Sequence, residues 1–483
     1  MGNQVSMNSS PDQSSELTAY QEQAGLWVDT EFASADLGDG RLEKRLISII
    51  KSFCQTPDAS IPQATGSWKK TKAAYRFLNN EKITHEKVLT PHQQTTQGRI
   101  NGQKIVLAIQ DTTTLNYTHH PQTRDLGSIG TDPNLRGMLV HTTLAITPKR
   151  VPLGIIHQQS WERPIEEYGK KHHRHKKDIK DKESQKWLNS FEATEQVQKH
   201  SPATLLINIG DRESDIYELF QKATRSDCHL LVRAAWNRRV SHPEKYLWAH
   251  LEAQPLSATL EVNVARKAKK AERTALVELR FAVLTLKPPR RNPTLPPITI
   301  SAIYVNEPSP PKDEEPLCWM LLTTLPVVSC EDAIKYVGYY AIRFTVELFH
   351  KVLKSGCKIE KRQLKTADTL RRCLAIDSIV AWRIMFLTML GRAVPNLPCT
   401  VILEEHEWKS LYCFVNKTQQ PPAAVPSLQE ATRLIARLGG FLGRKHDRHP
   451  GAQVLWRGMQ KLSVISVAWK AFGPELPQTS NSP

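Results

Sequence analysis

Between residues 104 and 233 strand-like and helical patterns alternate in an order that few folds accommodate. Short apolar, β-branched runs fall at 105–110, 138–147, 151–158, 204–209 and 228–233, with helical periodicity at 182–198 and 215–223. Three strands in succession, followed by helix, strand, helix and strand, require a mixed sheet with helices packed on its faces. The first and fourth runs each end on an acidic residue. Ile105-Val106-Leu107-Ala108-Ile109-Gln110 leads into Asp111, and Leu205-Leu206-Ile207-Asn208-Ile209-Gly210 leads into Asp211.

In an open α/β sheet, ligands gather beyond the carboxyl ends of the strands. Asp111 and Asp211 are expected at two such ends. Glu213 and Asp215 compete with Asp211, which is preferred because it comes first after the strand. The strand and helix order is that of an RNase H-like α/β domain, to which residues 93–398 are assigned. Within it, residues from about 240 to 325 read as a β-rich insertion, with short strand-like runs broken by Pro288-Pro289-Arg290-Arg291 and by prolines in 308–316.

A third carboxylate, Glu347, sits in a helical segment after the insertion. At about 100° per residue, Tyr340, Arg343, Glu347 and Lys354 fall within an arc of roughly 60°, while Ile342, Val346, Phe349 and Leu353 form a separate apolar stripe. One stripe is expected to bury; the other presents a carboxylate, a guanidinium, an ammonium and a phenol in one direction. Two strand-end carboxylates facing a third on a helix can hold a pair of divalent ions about 3.5–4 Å apart, an arrangement suited to phosphoryl displacement.

At 483 residues the chain is long enough for about three domains. Its formal net charge of +17 directs it towards a polyanion. Positive charge concentrates at Lys69, Lys70, Lys72 and Arg76, in residues 170–182 and in residues 351–372. His172, His173 and His175 lie in the second run without a ligand scaffold and read as a solvated loop. The eight cysteines occur singly, without a zinc-binding or disulfide spacing, which points to a reduced, cytoplasmic setting. No membrane span is expected. Residues 1–23 read as disordered and 474–483 as a flexible tail. Residues 24–92 read as a helical module with a basic side suited to DNA, and 399–473 as a helical packing or dimerisation module. In the latter, Ser427 and Glu430 open a helix closed by Gly439-Gly440.

The Tyr-x2-Arg-x3-Glu-x6-Lys spacing of Tyr340, Arg343, Glu347 and Lys354 resembles the signature of bacterial cut-and-paste DDE transposases of the insertion-sequence-four group. Ala108-Ile109-Gln110-Asp111-Thr112-Thr113 and Asp211-Arg212-Glu213-Ser214-Asp215-Ile216 resemble the segments bearing that family's two catalytic Asp residues. Trp161-Glu162-Arg163-Pro164 and the segment from Lys182 through Trp187 to Leu188 are similar to its intervening blocks. Leu37-Gly38-Asp39 and Ala74-Tyr75-Arg76-Phe77 resemble its N-terminal DNA-binding module, and residues 436–441 its C-terminal region.

The resemblance implies a catalytic and metal-binding triad of Asp111, Asp211 and Glu347 with two Mg²⁺ ions, for which Mn²⁺ would substitute. It implies a homodimer that binds inverted terminal repeats and target DNA, and the sequence of nicking, hairpin formation, hairpin opening and strand transfer. It also implies that Trp319 stacks a flipped base, and that Tyr340, Arg343 and Lys354 hold DNA. Arg212 and Arg233, one residue past Asp211 and at the end of the following strand, are further DNA-contact candidates, as are Lys69, Lys70, Lys72 and Arg76. The competing expectation is a catalytically silent, transposase-derived DNA-binding regulator.

Overall fold

The computed structural model describes residues 27–167, 179–264, 273–312, 314–444, 447 and 449–473. The expectations for the N-terminus, the histidine run and the tail lie outside these residues, as does most of the 170–182 basic run.

Five helices come first: α1 (Trp27–Glu31), α2 (Gly40–Gln55), α3 (Ile61–Thr65), α4 (Trp68–Leu78) and α5 (His85–Asn101). Their starts are set by local chemistry. Asp39, Ser67 and Thr84 each accept a backbone N–H of the first turn that follows, and Pro62 occupies the first turn of α3, where no helical N–H is needed. On α4, Thr71, Ala74, Phe77 and Leu78 are buried. Lys69, Lys70, Lys72 and Arg76 face solvent.

The expected boundary at 92/93 falls inside α5, and the helices before it are tied to the rest of the chain by buried side chains. Glu31 of α1, buried at 1% exposure, takes two bonds from Arg99 of α5 at 2.8 and 2.9 Å. Arg362 donates to the Pro57 and Ala59 carbonyls, and Arg372 to those of Leu78 and Ile83. The N-terminal helices are thereby fastened to the start of the later helix Ala367–Ala393 and to the segment before it.

Strands β1 (Ile105–Asn116), β2 (Gly127–Ser128), β3 (Arg136–Ile146), β4 (Pro152–Trp161), β5 (Leu205–Gly210) and β6 (His229–Arg233) form one side of a ten-stranded sheet. Helices α6 (Gln185–His200) and α7 (Tyr217–Ala223) connect β4 to β5 and β5 to β6. β4 pairs with β3 and β3 with β1, both antiparallel; β1, β5 and β6 then run parallel. This is the expected order of elements. After the short α8 (Leu247–Glu252), the strands β7 (Ala258–Val264), β8 (Arg273–Leu286), β9 (Ile298–Asn306) and β10 (Cys318–Thr323) form an antiparallel run. β10 pairs with β6, so the insertion extends the same sheet.

The remaining helices are α9 (Cys330–Ile342), α10 (Thr345–Lys351), α11 (Ala367–Ala393), α12 (Glu405–Asn416), α13 (Leu428–Leu438) and α14 (Ala452–Phe472). A π-helical turn, Val352–Gly356, follows α10 directly. α11 is long and apolar enough by composition to cross a membrane, contrary to the sequence expectation, but its apolar window is 94% buried inside the protein. Burial all round explains its composition. Asp377, in its middle, is fully buried and paired with Arg362 at 2.8 Å.

Candidate active site

Asp111 does not end its strand. β1 continues to Asn116 because β3 keeps pairing with it, Asp111 lying opposite Thr142. The parallel ladder to β5 stops earlier, at Ile109 opposite Ile209. Asp111 is therefore the second residue beyond the point where β1 and β5 part, and Asp211 is the first residue beyond β5. Both carboxylates stand at the mouth of that crevice, as the rule for open sheets requires.

Local backbone bonds orient each one. Asp111 Oδ1 accepts the Thr112 N–H at 2.9 Å, and Asp211 Oδ1 accepts the Glu213 N–H at 2.9 Å while opening a short 3₁₀ turn. The competing carboxylates are engaged elsewhere. Asp215 is buried, accepting from Ala235 N, Trp236 N and Arg238, and Glu213 pairs with Lys186 at 3.0 Å.

The expected single helix through Glu347 is broken. α9 stops at Ile342, α10 starts at Thr345, and the π turn shifts the phase again before Lys354. The side chains nevertheless converge. Arg343, 7% exposed, donates to Glu347 Oε1 at 3.2 Å, and its Nε has no hydrogen-bond partner in the protein. Tyr340 is buried within reach of Arg343, Arg233 and Asp211. Lys354 lies 3.9 Å from Glu360 Oε1, which also accepts the Asn116 N–H at the end of β1. His350, one turn after Glu347, is buried with Nδ1 3.8 Å from Asp111 Oδ2.

Electrostatics reports the same convergence. The Asp111 carboxyl is pushed up to about 6, chiefly by burial. Arg343 and the Thr112 N–H oppose that rise, and the charges of Asp211 and Glu347 add to it. The two neighbouring carboxylates add to the effect of burial at Asp111.

Three carboxylates are a hard-oxygen donor set of the kind Mg²⁺ prefers. Among the described residues, no three acidic, histidine or cysteine side chains are gathered closely enough to hold one ion. The exposed Glu347 side chain is paired with the buried Arg343 at 3.2 Å. The donor chemistry of the three carboxylates fits divalent ions.

Trp319 lies in β10, 8% exposed, its ring edge-on to Tyr340 at 5.2 Å and tilted to Phe344 at 6.5 Å. It forms a wall of the cluster, with no open face for a base in this arrangement. Arg233 is half-buried and donates to the Cys318 carbonyl at 2.8 Å, next to Trp319. Arg212 is exposed beside Asp211. The four basic residues of α4 belong to the helical module rather than to this cluster. Sequence reasoning passed over Phe344, which is 44% exposed with the Arg343 guanidinium stacked 4.7 Å above its ring. It also passed over Trp68, 79% exposed at the start of the basic helix. An aromatic flanked by cations is the signal that marks both.

A family model described as transposase DNA-binding matches residues 24–83, and one described as the transposase Tn5 dimerisation domain matches residues 379–471. Both flanking segments are thus similar to transposase domains. These matches support DNA binding at one end of the chain, self-association at the other, and a role in transposition. The dimerisation match begins inside α11, ahead of the expected boundary at 399. Among solved structures, a piggyBac transposase synaptic complex with hairpin DNA is similar at 11% identity over 99% of this chain and 77% of that one, with a TM-score of 0.32, too distant to assign residue roles.

Proposed function

We propose that the transposase acts through Asp111, Asp211 and Glu347 as a DDE enzyme of the insertion-sequence-four type, on an RNase H-like core. The observation that carries this is that one carboxylate from β1, one from the end of β5 and one from α10 lie near enough to interact, Asp111 being raised chiefly by burial and further by the charges of the other two. The spatial order β4-β3-β1-β5-β6 supports the choice of core. Two Mg²⁺ ions, held by the three carboxylates, would supply Lewis-acid stabilisation and lower the pKa of an attacking water or hydroxyl.

The chain itself binds and orients. Arg343, with an uncommitted Nε, is placed to grip a phosphate, and Tyr340 presents a hydroxyl alongside it. Lys354 adds a point charge beyond the end of α10. Arg212 lines the approach to Asp211. Nicking, hairpin formation, hairpin opening and strand transfer are all in-line displacements at a phosphodiester. One arrangement of side chains serves each of them, because only the nucleophile changes.

The test is nicking of a terminal-repeat duplex with and without divalent ions, by the wild type and by Asp111→Asn. Ion-dependent nicking that the substitution abolishes is the expected result. A protein that binds the duplex but never cuts it in Mg²⁺ or Mn²⁺ would be a silent regulator, a reading favoured only by the Arg343–Glu347 ion pair that now occupies the third carboxylate.

A further inference from the structure

Directly beneath the two strand-borne carboxylates runs a buried line of neutral polar side chains that the proposed chemistry does not use. His141 on β3 bonds Thr112 Oγ1 through Nδ1 at 2.9 Å and Gln110 Oε1 through Nε2 at 3.4 Å. Gln110 Nε2 donates to Asn208 Oδ1 on β5 at 2.9 Å, and Asn208 Nδ2 donates to the His229 carbonyl on β6 at 3.5 Å. The line crosses four adjacent strands. His141 and Asn208 are wholly buried and Gln110 is 3% exposed.

Its location is informative. Gln110 and Thr112 flank Asp111 in sequence, so they point to the opposite face of the sheet from it. Asn208 lies three residues before Asp211. The backbone ladder between β1 and β5 ends at Ile109 and Ile209. The Gln110–Asn208 bond therefore lies where the last backbone rung has been made and the strands begin to part. Apolar side chains would fill this space as well, but only a directional bond sets a separation.

We infer that Gln110 and Asn208, oriented by His141, are positioning residues that set the spacing between Asp111 and Asp211. The assignment rests on the proposed DDE chemistry, since it gives that spacing its purpose. His141 is suited to the part because burial, reinforced by Lys186, His157 and His350, holds its pKa well below the ordinary histidine value and keeps the ring neutral. Trp187 packs edge-on against it at 4.6 Å, locking its orientation.

The test compares the full-length wild type with the double variant Gln110→Met/Asn208→Leu, which replaces each amide by an apolar side chain of similar length and deletes the bond from both ends. Removing both partners strands no buried donor, because His141 can move its proton to Nδ1 and donate to Thr112. Three readouts are taken: melting temperature, duplex affinity, and Mn²⁺ bound without DNA, counted by electron paramagnetic resonance. Nicking rate is a fourth. The expected result is melting within about 4 °C of wild type, unchanged duplex affinity, weaker Mn²⁺ binding and nicking slower by about 10- to 100-fold, the range for residues that orient metal ligands. A folded double variant that nicks and binds Mn²⁺ like wild type overturns the inference. Should the double variant not fold, Gln110→Asn decides: it keeps the amide but is one methylene too short to reach Asn208, and wild-type nicking by it is equally fatal. If the wild type neither binds Mn²⁺ nor nicks, the DDE assignment itself fails and the positioning role falls with it, a result read without any variant.

Discussion

Asp111, Asp211 and Glu347 differ in what surrounds them, yet their substitution should have one signature. Asp111→Asn, Asp211→Asn and Glu347→Gln are each expected to abolish strand cleavage while leaving duplex affinity within a few-fold of wild type. Affinity rests on Lys and Arg contacts with phosphates, and ion ligation needs the carboxylate charge. Cleavage assays beside gel-shift titrations check this, and near-normal nicking by any one variant removes that residue from the triad. A second prediction concerns Glu31. Burial alone would raise its pKa, but Arg99, bonded through both nitrogens, and His92 together hold it at about 2, below the ordinary 4.5. His92 Nε2 accepts the Ile155 N–H at 3.0 Å, so its proton is on Nδ1 and is donated to Glu31. A depressed folded-state pKa stabilises above pH 4.5, and that stability is lost as pH falls from 4.5 to 2. Glu31→Gln should lower stability at neutral pH by about 3–5 kcal/mol, the usual cost of stranding a buried partner. Its disadvantage relative to wild type should shrink across that acid window. Melting curves from pH 7 to 2 measure the difference; a constant gap would refute the assignment.

At the scale of elements, the hairpin of α13 and α14 depends on two glycines for close approach. A Cβ on Gly458 would lie 1.8 Å from the Ile435 carbonyl oxygen, and one on Gly439 the same distance from that of Val454. Gly439-Gly440 reads in sequence as a helix stop, but the two divide the work: Gly440 has the left-handed φ of 96°, while Gly439, at φ −80°, lets α14 pass. Gly458→Ala should push the helices apart at a cost of about 1–3 kcal/mol. It should also weaken self-association in sedimentation velocity, since residues 379–471 match a dimerisation domain. An unchanged melting temperature would show that the contact yields freely. Trp319 in β10 poses a related question. Its burial against Tyr340 means that Trp319→Ala should lower the melting temperature, with a cost of about 3–5 kcal/mol, and slow nicking and hairpin formation together. Selective slowing of hairpin formation, with stability intact, would instead show that Tyr340 and Phe344 move aside and open the indole to a base.

For the molecule as a whole, the N-terminal helices cannot be detached as composition suggests. Deleting residues 1–91 would cut α5 before Arg99, remove Glu31 and so strand its partners His92 and Arg99, and leave Arg362 and Arg372 without the carbonyls they now bind. Such a truncation should lose end recognition and also fail to melt cooperatively. A cooperative, well-folded truncated protein, seen by circular dichroism and calorimetry, would show the module to be independent after all.

The order of strands and helices from 104 to 233 was readable because each run carries its own periodicity, and apolar runs ending on Asp111 and Asp211 need only local chemistry to be recognised. The spacing of Tyr340, Arg343, Glu347 and Lys354 was equally legible, though not as a geometric stripe: the break after Ile342 and the π turn at 352–356 leave no periodic trace. What reached beyond the sequence was pairing at a distance. β1 runs past Asp111 because β3 supports it, the insertion joins the main sheet because β10 finds β6, and α5 crosses an expected boundary because Arg99 finds Glu31. The Gln110–Asn208 bond spans 98 residues. A hydrogen bond or strand pair between remote segments is specified by the packing of everything between them, so only the tertiary structure decides it.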